Sequence, residues 1–272
     1  MAKWTFLNGD FVKEQEAVLS FRDLSFQRGY GIFDFFRLRG HSPLFLNDHL
    51  ERFYFSAESA HLQPPVQRQT LKTIIFDLLK RNNLPGTGIR LSLTGGCSDD
   101  GFNIGQPALL VSQHPFNPPT DLQYQQGIKL LSHPYQRTLP EIKTIDYLMA
   151  IWLQPKRLEA GADDLLYVPN GQISECPRSN FFLLTGDDTV VTPAQNVLYG
   201  VTRKKVLEIA KKQFKVEERA VAYNEIFSAK EAFITSTTKQ ILPVAQIDGH
   251  QFHQKSVALW LLQQFRTRYM EG

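Results

Sequence analysis

Apolar and polar residues alternate over positions 4–12 on either side of Asn8-Gly9. The pattern predicts a β-hairpin, because Asn-Gly supplies the two left-handed positions that a tight turn needs. A second hairpin is expected where Phe35-Phe-Arg-Leu-Arg39 and Leu44-Phe-Leu46 flank Gly40-His-Ser-Pro43. Then the period changes. Leu50, Phe53, Tyr54, Ala57 and His61 recur at helical spacing behind Asp48-His-Leu-Glu51, which has the form of a capping box. A further helix is expected over residues 66–81, stopped by Asn82-Asn-Leu-Pro-Gly86. Residues 89–93 and 108–111 read as strands.

His114-Pro-Phe-Asn-Pro-Pro-Thr-Asp121 carries three prolines and little that can pack, which marks residues 114–121 as a linker between domains at 1–113 and 122–272. Beyond it come a strand at 127–132 and a helix at 146–160 that Pro155 should kink. Strands follow at 165–168, 181–184 and 190–192. A helix covers 204–214, with its start near Thr202, and a short one lies near Asn224. A last hairpin follows Phe233-Ile-Thr, and a terminal helix spans 255–269. There is no internal repeat. The mixture is α+β in two parts.

Composition narrows the function. A chain of 272 residues has room for two modest domains, and 42% hydrophobic with 21% charged residues is ordinary for a globular protein. A formal charge of +3 with no clustered Lys/Arg stripe argues against nucleic acid as a partner. No window reaches the ~18 uninterrupted apolar residues of a membrane helix. The amino terminus has no apolar h-region, and Cys97 and Cys176 cannot build a disulfide framework, so a cytoplasmic protein is expected. A hydrolase would want Gly-x-Ser-x-Gly, which is missing. The seven His are scattered and suggest no metal site. Gly29-Tyr-Gly31 and Gly86-Thr-Gly88 lack the third glycine of a dinucleotide fingerprint.

The chemistry lies in two stretches. Leu139-Pro-Glu-Ile-Lys143-Thr-Ile-Asp-Tyr147-Leu puts a lysine among apolar neighbours ahead of an amphipathic segment. Ile173-Ser-Glu175-Cys-Pro-Arg-Ser-Asn180-Phe-Phe puts one carboxylate between the Asn170-Gly171 turn and an apolar strand. A lysine that forms a Schiff base and a carboxylate that holds a pyridinium nitrogen are what an enzyme using pyridoxal phosphate most needs.

Their order, spacing and flanks resemble the fold-type IV, or class IV, pyridoxal-phosphate aminotransferases. This group includes branched-chain aminotransferases, D-amino-acid aminotransferases and aminodeoxychorismate lyases. The resemblance implies Lys143 as the Schiff-base and proton-transfer residue, and Glu175 on the ring nitrogen. Tyr199-Gly200-Val201-Thr202-Arg203 matches the Gly-Ile/Val-Thr-Arg phosphate motif, implying Val201 and Thr202 as phosphate ligands. Thr235-Ser236-Thr237-Thr238 resembles a second phosphate loop, with Ser236 and Thr237 toward the cofactor and the Thr238 N–H toward the substrate carboxylate. Arg52, in His49-Leu-Glu-Arg52-Phe, matches the phosphate-binding arginine, whose fork can donate two parallel hydrogen bonds. Phe33 falls in a segment like Gly-x-x-x-Phe-Glu, with Asp34 in place of Glu, and corresponds to an aromatic substrate wall. Tyr147 corresponds to a tyrosine near the cofactor.

Arg90 aligns with an arginine that helps the branched-chain members recognise glutamate, provided its strand register turns it to the site. Gly95-Gly-Cys97 stands where D-specific members carry Arg and His.

For the fold, the resemblance implies a small N-terminal α/β sandwich and a larger C-terminal domain with a barrel-like mixed sheet. The site would lie at their interface, and two copies would form a homodimer. For the reaction it implies ping-pong transfer of an amino group between an amino acid, branched-chain-like favoured, and a 2-oxo acid. Two alternatives stay open: aminodeoxychorismate lyase, and a non-catalytic pyridoxal-phosphate-binding protein on the same fold.

Overall fold

A computed structural model describes residues 3–271. Met1, Ala2 and Gly272, at the outer ends of the two expected domains, lie outside the described residues. The chain forms two compact units. One takes the sequence up to Phe116 together with Ile142–Asp146, and the other takes Asn117–Glu141 and Tyr147–Gly272. His114 still ends a strand and Asp121 already opens a helix, so the irregular stretch is shorter than the expected linker. The segment around Lys143 groups with the first unit, although sequence order assigned it to the second domain. The reason is backbone pairing, described below.

The first unit is a six-stranded antiparallel sheet. Its order is Asp10–Lys13, Trp4–Leu7, Leu109–His114, Gly88–Thr94, Gly31–Arg39 and Ser42–Pro43. Ile32, Phe36 and Leu38 alternate onto one face and pack with Leu50, Phe53 and Ala57 of the Leu46–Ser59 helix and Leu71, Ile75 and Leu78 of the Arg68–Asn82 helix. Periods of two and 3.6 residues thus bury one core from both sides. The second hairpin is shorter than expected, because Leu46 belongs to the helix. That helix starts behind a left-handed Phe45 with no side-chain cap. The expected capping box is therefore displaced, and Asp48 sits within the first turn, where its charge complements the helix dipole.

The second unit is built on a mixed sheet. Its path runs Val216–Arg219, Val190–Pro193, Ser179–Leu184, Glu231–Ser236, Gln240–Ile247, Ile128–His133 and Asp164–Tyr167. Three neighbouring pairs are parallel. The sheet is mixed, as expected, but its ladder is an open path and does not close into a barrel. The charged edge strand Val-Glu-Glu-Arg219 suits an end left unpaired on one side. Ser179–Leu184 is buried along its whole length, which requires cover on both faces. Phe182 stacks on its cross-strand partner Phe233 with ring centroids 4.9 Å apart. The helix expected over 146–160 is two helices, Leu148–Trp152 and Gln154–Glu159. Pro155 does not kink a continuous rod. Without an N–H it breaks the ladder, and it serves in the first turn of a new helix instead. Among the described residues no helix is long and apolar enough to cross a membrane.

Candidate active site

In the first unit, the Lys143 segment lies along the edge of the Gly31–Arg39 strand. The Phe33 N–H donates to the Lys143 carbonyl at 2.9 Å and the Ile145 N–H to the Gly31 carbonyl at 3.0 Å. The Lys143 N–H donates to Oγ of buried Ser56 at 3.2 Å. Ile142 adds its side chain to the core. A loop lysine would be a solvated, mobile charge, whereas these bonds fix the Lys143 backbone on both sides. Its Nζ lies 4.4 Å from the centroid of the Phe33 ring. The Arg90 guanidinium carbon is 4.0 Å from the same centroid. Strand register explains the meeting: Ser92 pairs with Phe33 and Arg90 with Phe35, so Arg90 shares the Phe33 face. Its Nε donates to Ser92 Oγ at 3.2 Å. Phe33, Arg90 and Lys143 are thereby brought together.

Asp34 points to the other face of the strand and is fully buried. Arg52 donates to it through Nε at 2.8 Å and Nη2 at 2.9 Å. His49 Nδ1 lies 2.7 Å from Asp34 Oδ1. Burial alone would raise the Asp34 carboxyl. The Arg52 guanidinium and then His49 overcome it and hold the carboxyl well below the usual carboxylate range. Burial pushes His49 down from 6.5 against the opposing pull of Asp34, with Arg52 and Lys143 adding to the fall. A neutral His49 then donates Nδ1–H to the carboxylate. The two-pronged grip expected between Arg52 and a phosphate is thus engaged along one edge by Asp34.

In the second unit, Glu175 is 3% exposed. Arg137 Nε donates to its Oε1 at 2.7 Å and the Leu198 N–H to its Oε2 at 3.0 Å. Arg137 also donates through Nη2 to the Pro140 carbonyl. Cross-strand register sets Glu175 opposite Asn180 and Asn180 opposite Thr235, one row on one face of the sheet. Asn180 Nδ2 donates to the Leu198 carbonyl at 2.7 Å. A Cβ added to Gly200 would meet Asn180 Oδ1 at 2.1 Å, so any larger residue would have to displace the Asn180 side chain from that row. This helix, Val201–Ala210, begins one residue before the start expected near Thr202 and ends four before 214. Val201 and Thr202 occupy its buried first turn. Arg203 turns away, donating Nη2 to the Pro193 carbonyl at 3.0 Å and pairing with Glu218 at 3.1 Å.

Ser236, Thr237 and Thr238 form the turn after the Glu231–Ser236 strand and are half-buried. Ser236 Oγ accepts the Lys239 N–H at 3.2 Å, so this hydroxyl serves the turn. Tyr147 is half-buried at the head of the Leu148–Trp152 helix. Two contributors do not stand out in the sequence. Arg137 is one basic residue among 30, with nothing local to mark it. Asp34 was noted as a departure but not as the partner of Arg52, although period two already put it on the helix-facing side.

These groups fit pyridoxal phosphate. A ten-residue helix presents its first N–H groups behind a closely packed glycine, a site suited to an anion. Thr235 Oγ1, in the Glu175 row, is buried without a hydrogen-bond partner. The backbone of Lys143 and the carboxylate of Glu175 are each held by named bonds.

Comparisons with known proteins agree with this chemistry. A family model described as amino-transferase class IV matches residues 31–247. A provisionally named branched-chain-amino-acid aminotransferase of Methanocaldococcus jannaschii is 29% identical over 263 residues, covering 93% of this chain and 90% of that protein. A D-alanine aminotransferase of Bacillus licheniformis is 27% identical over 248 residues, covering 89% and 87%. The fold superposes on the Escherichia coli branched-chain amino acid aminotransferase with a TM-score of 0.91 at 22% identity, covering 99% of this chain and 95% of that one. A T.th. branched-chain amino acid aminotransferase solved with pyridoxamine 5'-phosphate gives 0.90 at 22% identity, covering 100% and 96%.

Proposed function

The chain belongs to the class IV aminotransferases, and we propose that with pyridoxal 5'-phosphate it moves an amino group from a branched-chain-like amino acid to a 2-oxo acid. The observation that carries this reading is the anchoring of Lys143. Its carbonyl and amide are both bonded, and its amine stands over the ring of Phe33.

When bound, the cofactor supplies an aldehyde that amines exchange on and a ring that draws electrons from the substrate α-carbon. The protein does the rest. Lys143 Nζ would take the proton from the substrate Cα and deliver it to the cofactor carbon that keeps the amino nitrogen. Glu175 accepts the ring N–H and keeps that nitrogen protonated, while Arg137 and the Leu198 amide hold the carboxylate in one orientation. Val201 and Thr202 donate to the phosphate from the helix start, with Thr237 from the turn. Arg52 has Nε and Nη2 on Asp34, so its Nη1 end would be the one to hold the phosphate. Phe33 walls the substrate side chain, Tyr147 lies by the cofactor, and the Thr238 N–H meets the substrate carboxylate. Arg90 takes the second carboxylate of a glutamate co-substrate. Lys143 belongs to the first unit and Glu175 to the second.

Aminotransferase names among the relatives favour transfer over the lyase alternative. Two reduced thiols support a cytoplasmic setting. Leu148 at 76%, Ile151 at 60% and Trp152 at 68% exposure support a homodimer that covers them.

The test is a panel of both enantiomers of the common amino acids with 2-oxoglutarate, read as glutamate formed. Branched-chain donors should head the rates. D-amino acids belong in the panel because D-alanine aminotransferases match as well. Lys143→Ala should lose at least about 10²–10⁴-fold in turnover, the usual worth of a positioned proton-transfer group. Full turnover by that variant would defeat the assignment.

A further inference from the structure

Lys239 is a half-buried cation that the reaction does not use. It lies in the turn between the Glu231–Ser236 and Gln240–Ile247 strands. Its Nζ donates to Asp164 Oδ2 at 2.6 Å and to Ser179 Oγ at 3.1 Å. Lys239 and Asp164 are 16% and 11% exposed, so water screens this pair poorly. The backbone of Lys239 is tied as well. Its N–H donates to Ser236 Oγ, and its carbonyl accepts the Tyr124 hydroxyl at 2.9 Å. Every polar group of this residue fixes the four-residue turn that holds Thr237 and Thr238.

The partners of Nζ sit far apart along the sheet. Asp164 opens the last strand of the path, and Ser179 opens a strand four places away. One ammonium joins them directly. Ser179 also alternates with Asn180, so it points away from the row of Glu175, Asn180 and Thr235. The Lys239 link therefore lies on the face of the strand opposite to that row.

We infer that Lys239 is a positioning residue for phosphate. It clasps the open sheet through Asp164 and Ser179, and so holds the Ser236–Lys239 turn in the shape that presents Thr237. This inference rests on the pyridoxal-phosphate reading above, and it adds a residue that the reading does not need. Removing the clasp loosens the turn, which costs affinity for the phosphate and leaves the aldehyde end of the cofactor alone.

The experiment compares two ligands that differ only in the phosphate. Dissociation constants for pyridoxal 5'-phosphate and for pyridoxal are measured by absorbance on cofactor-stripped full-length protein. Wild type is set beside Lys239→Met, Lys239→Arg and Asp164→Asn, and melting of each stripped protein is recorded. Lys239→Met and Asp164→Asn should weaken pyridoxal 5'-phosphate about tenfold or more, the scale of one lost charge-assisted bond. Pyridoxal affinity should stay within about twofold of wild type, and Lys239→Arg should recover most of the loss. Equal weakening of both ligands, or no weakening of pyridoxal 5'-phosphate, overturns the inference. Should Lys239→Met fail to fold, Asp164→Asn is judged by the same criteria. A wild type that binds neither ligand would instead defeat the cofactor reading itself, which separates the two failures.

Discussion

Asp34, His49 and Arg52 illustrate how single side chains set both chemistry and stability. A carboxylate with no exposed surface is tolerable only because a guanidinium and an imidazole N–H meet it. Both titrations are displaced downward. His49 in the unfolded chain takes a proton near 6.5, but in the folded protein only at lower pH. The unfolded state therefore binds more protons just below 6.5, and stability falls as pH drops through that point. Asp34 contributes stability above its ordinary value of 3.8 and loses it only in stronger acid. Loss as pH falls below about 6.5 thus belongs to His49, together with His114 and His133, which burial also pushes down. His49→Gln keeps a donor for Asp34 and removes the titration. Its melting temperature should fall less steeply over that range than that of wild type. An unchanged slope would show that the imidazole is not the group responsible.

At the scale of elements, helix ends decide much of the second unit. The terminal helix Ser256–Tyr269 has no capping side chain of its own. Its opening N–H groups are met from another element by Glu231, which is wholly buried. Val257 N–H donates to Oε1 at 3.0 Å, Ala258 N–H to Oε2 at 3.0 Å, and the Ser256 hydroxyl to Oε1 at 2.8 Å. A charge at the positive end of a helix dipole is favourable, and here it also satisfies donors that nothing local can reach. Glu231→Ala leaves those donors orphaned and opens a small cavity. It should cost about 2–4 kcal/mol, measured by denaturant unfolding. A loss below about 0.5 kcal/mol would mean that water replaces the carboxylate without penalty. Glu231 begins the strand that leads to Ser236–Thr238, so this cap also anchors one side of the proposed phosphate turn.

For the whole molecule, the expected assembly is a homodimer. Leu148, Ile151 and Trp152 expose apolar surface within five residues, on a helix one residue beyond Tyr147. Leaving such a cluster in water forgoes roughly 1.5–3 kcal/mol for each large side chain. Trp152→Glu should shift sedimentation from dimer to monomer and should reduce turnover if the dimer completes the pocket. A wild-type monomer at micromolar concentration would remove the homodimer from the reading.

Local pattern by itself determined a large part of this protein. Hairpins, helices and the helix start at Val201 follow from period, turn residues and glycine placement, because those preferences act within a few residues. The motif residues Lys143, Glu175 and Gly200-Val-Thr202 were legible for the same reason, as short strings that resemble a family. What only tertiary structure decided is long-range pairing. Backbone bonds to Phe33 and Gly31 assigned Lys143 to the first unit, 110 positions from Phe33 in sequence. Arg137 met Glu175, Arg52 met Asp34, and Lys239 joined Asp164 to Ser179. An isolated charge looks the same in sequence whether it is solvated or buried. Its partner is chosen by how strands align and curl, and no local preference encodes that alignment.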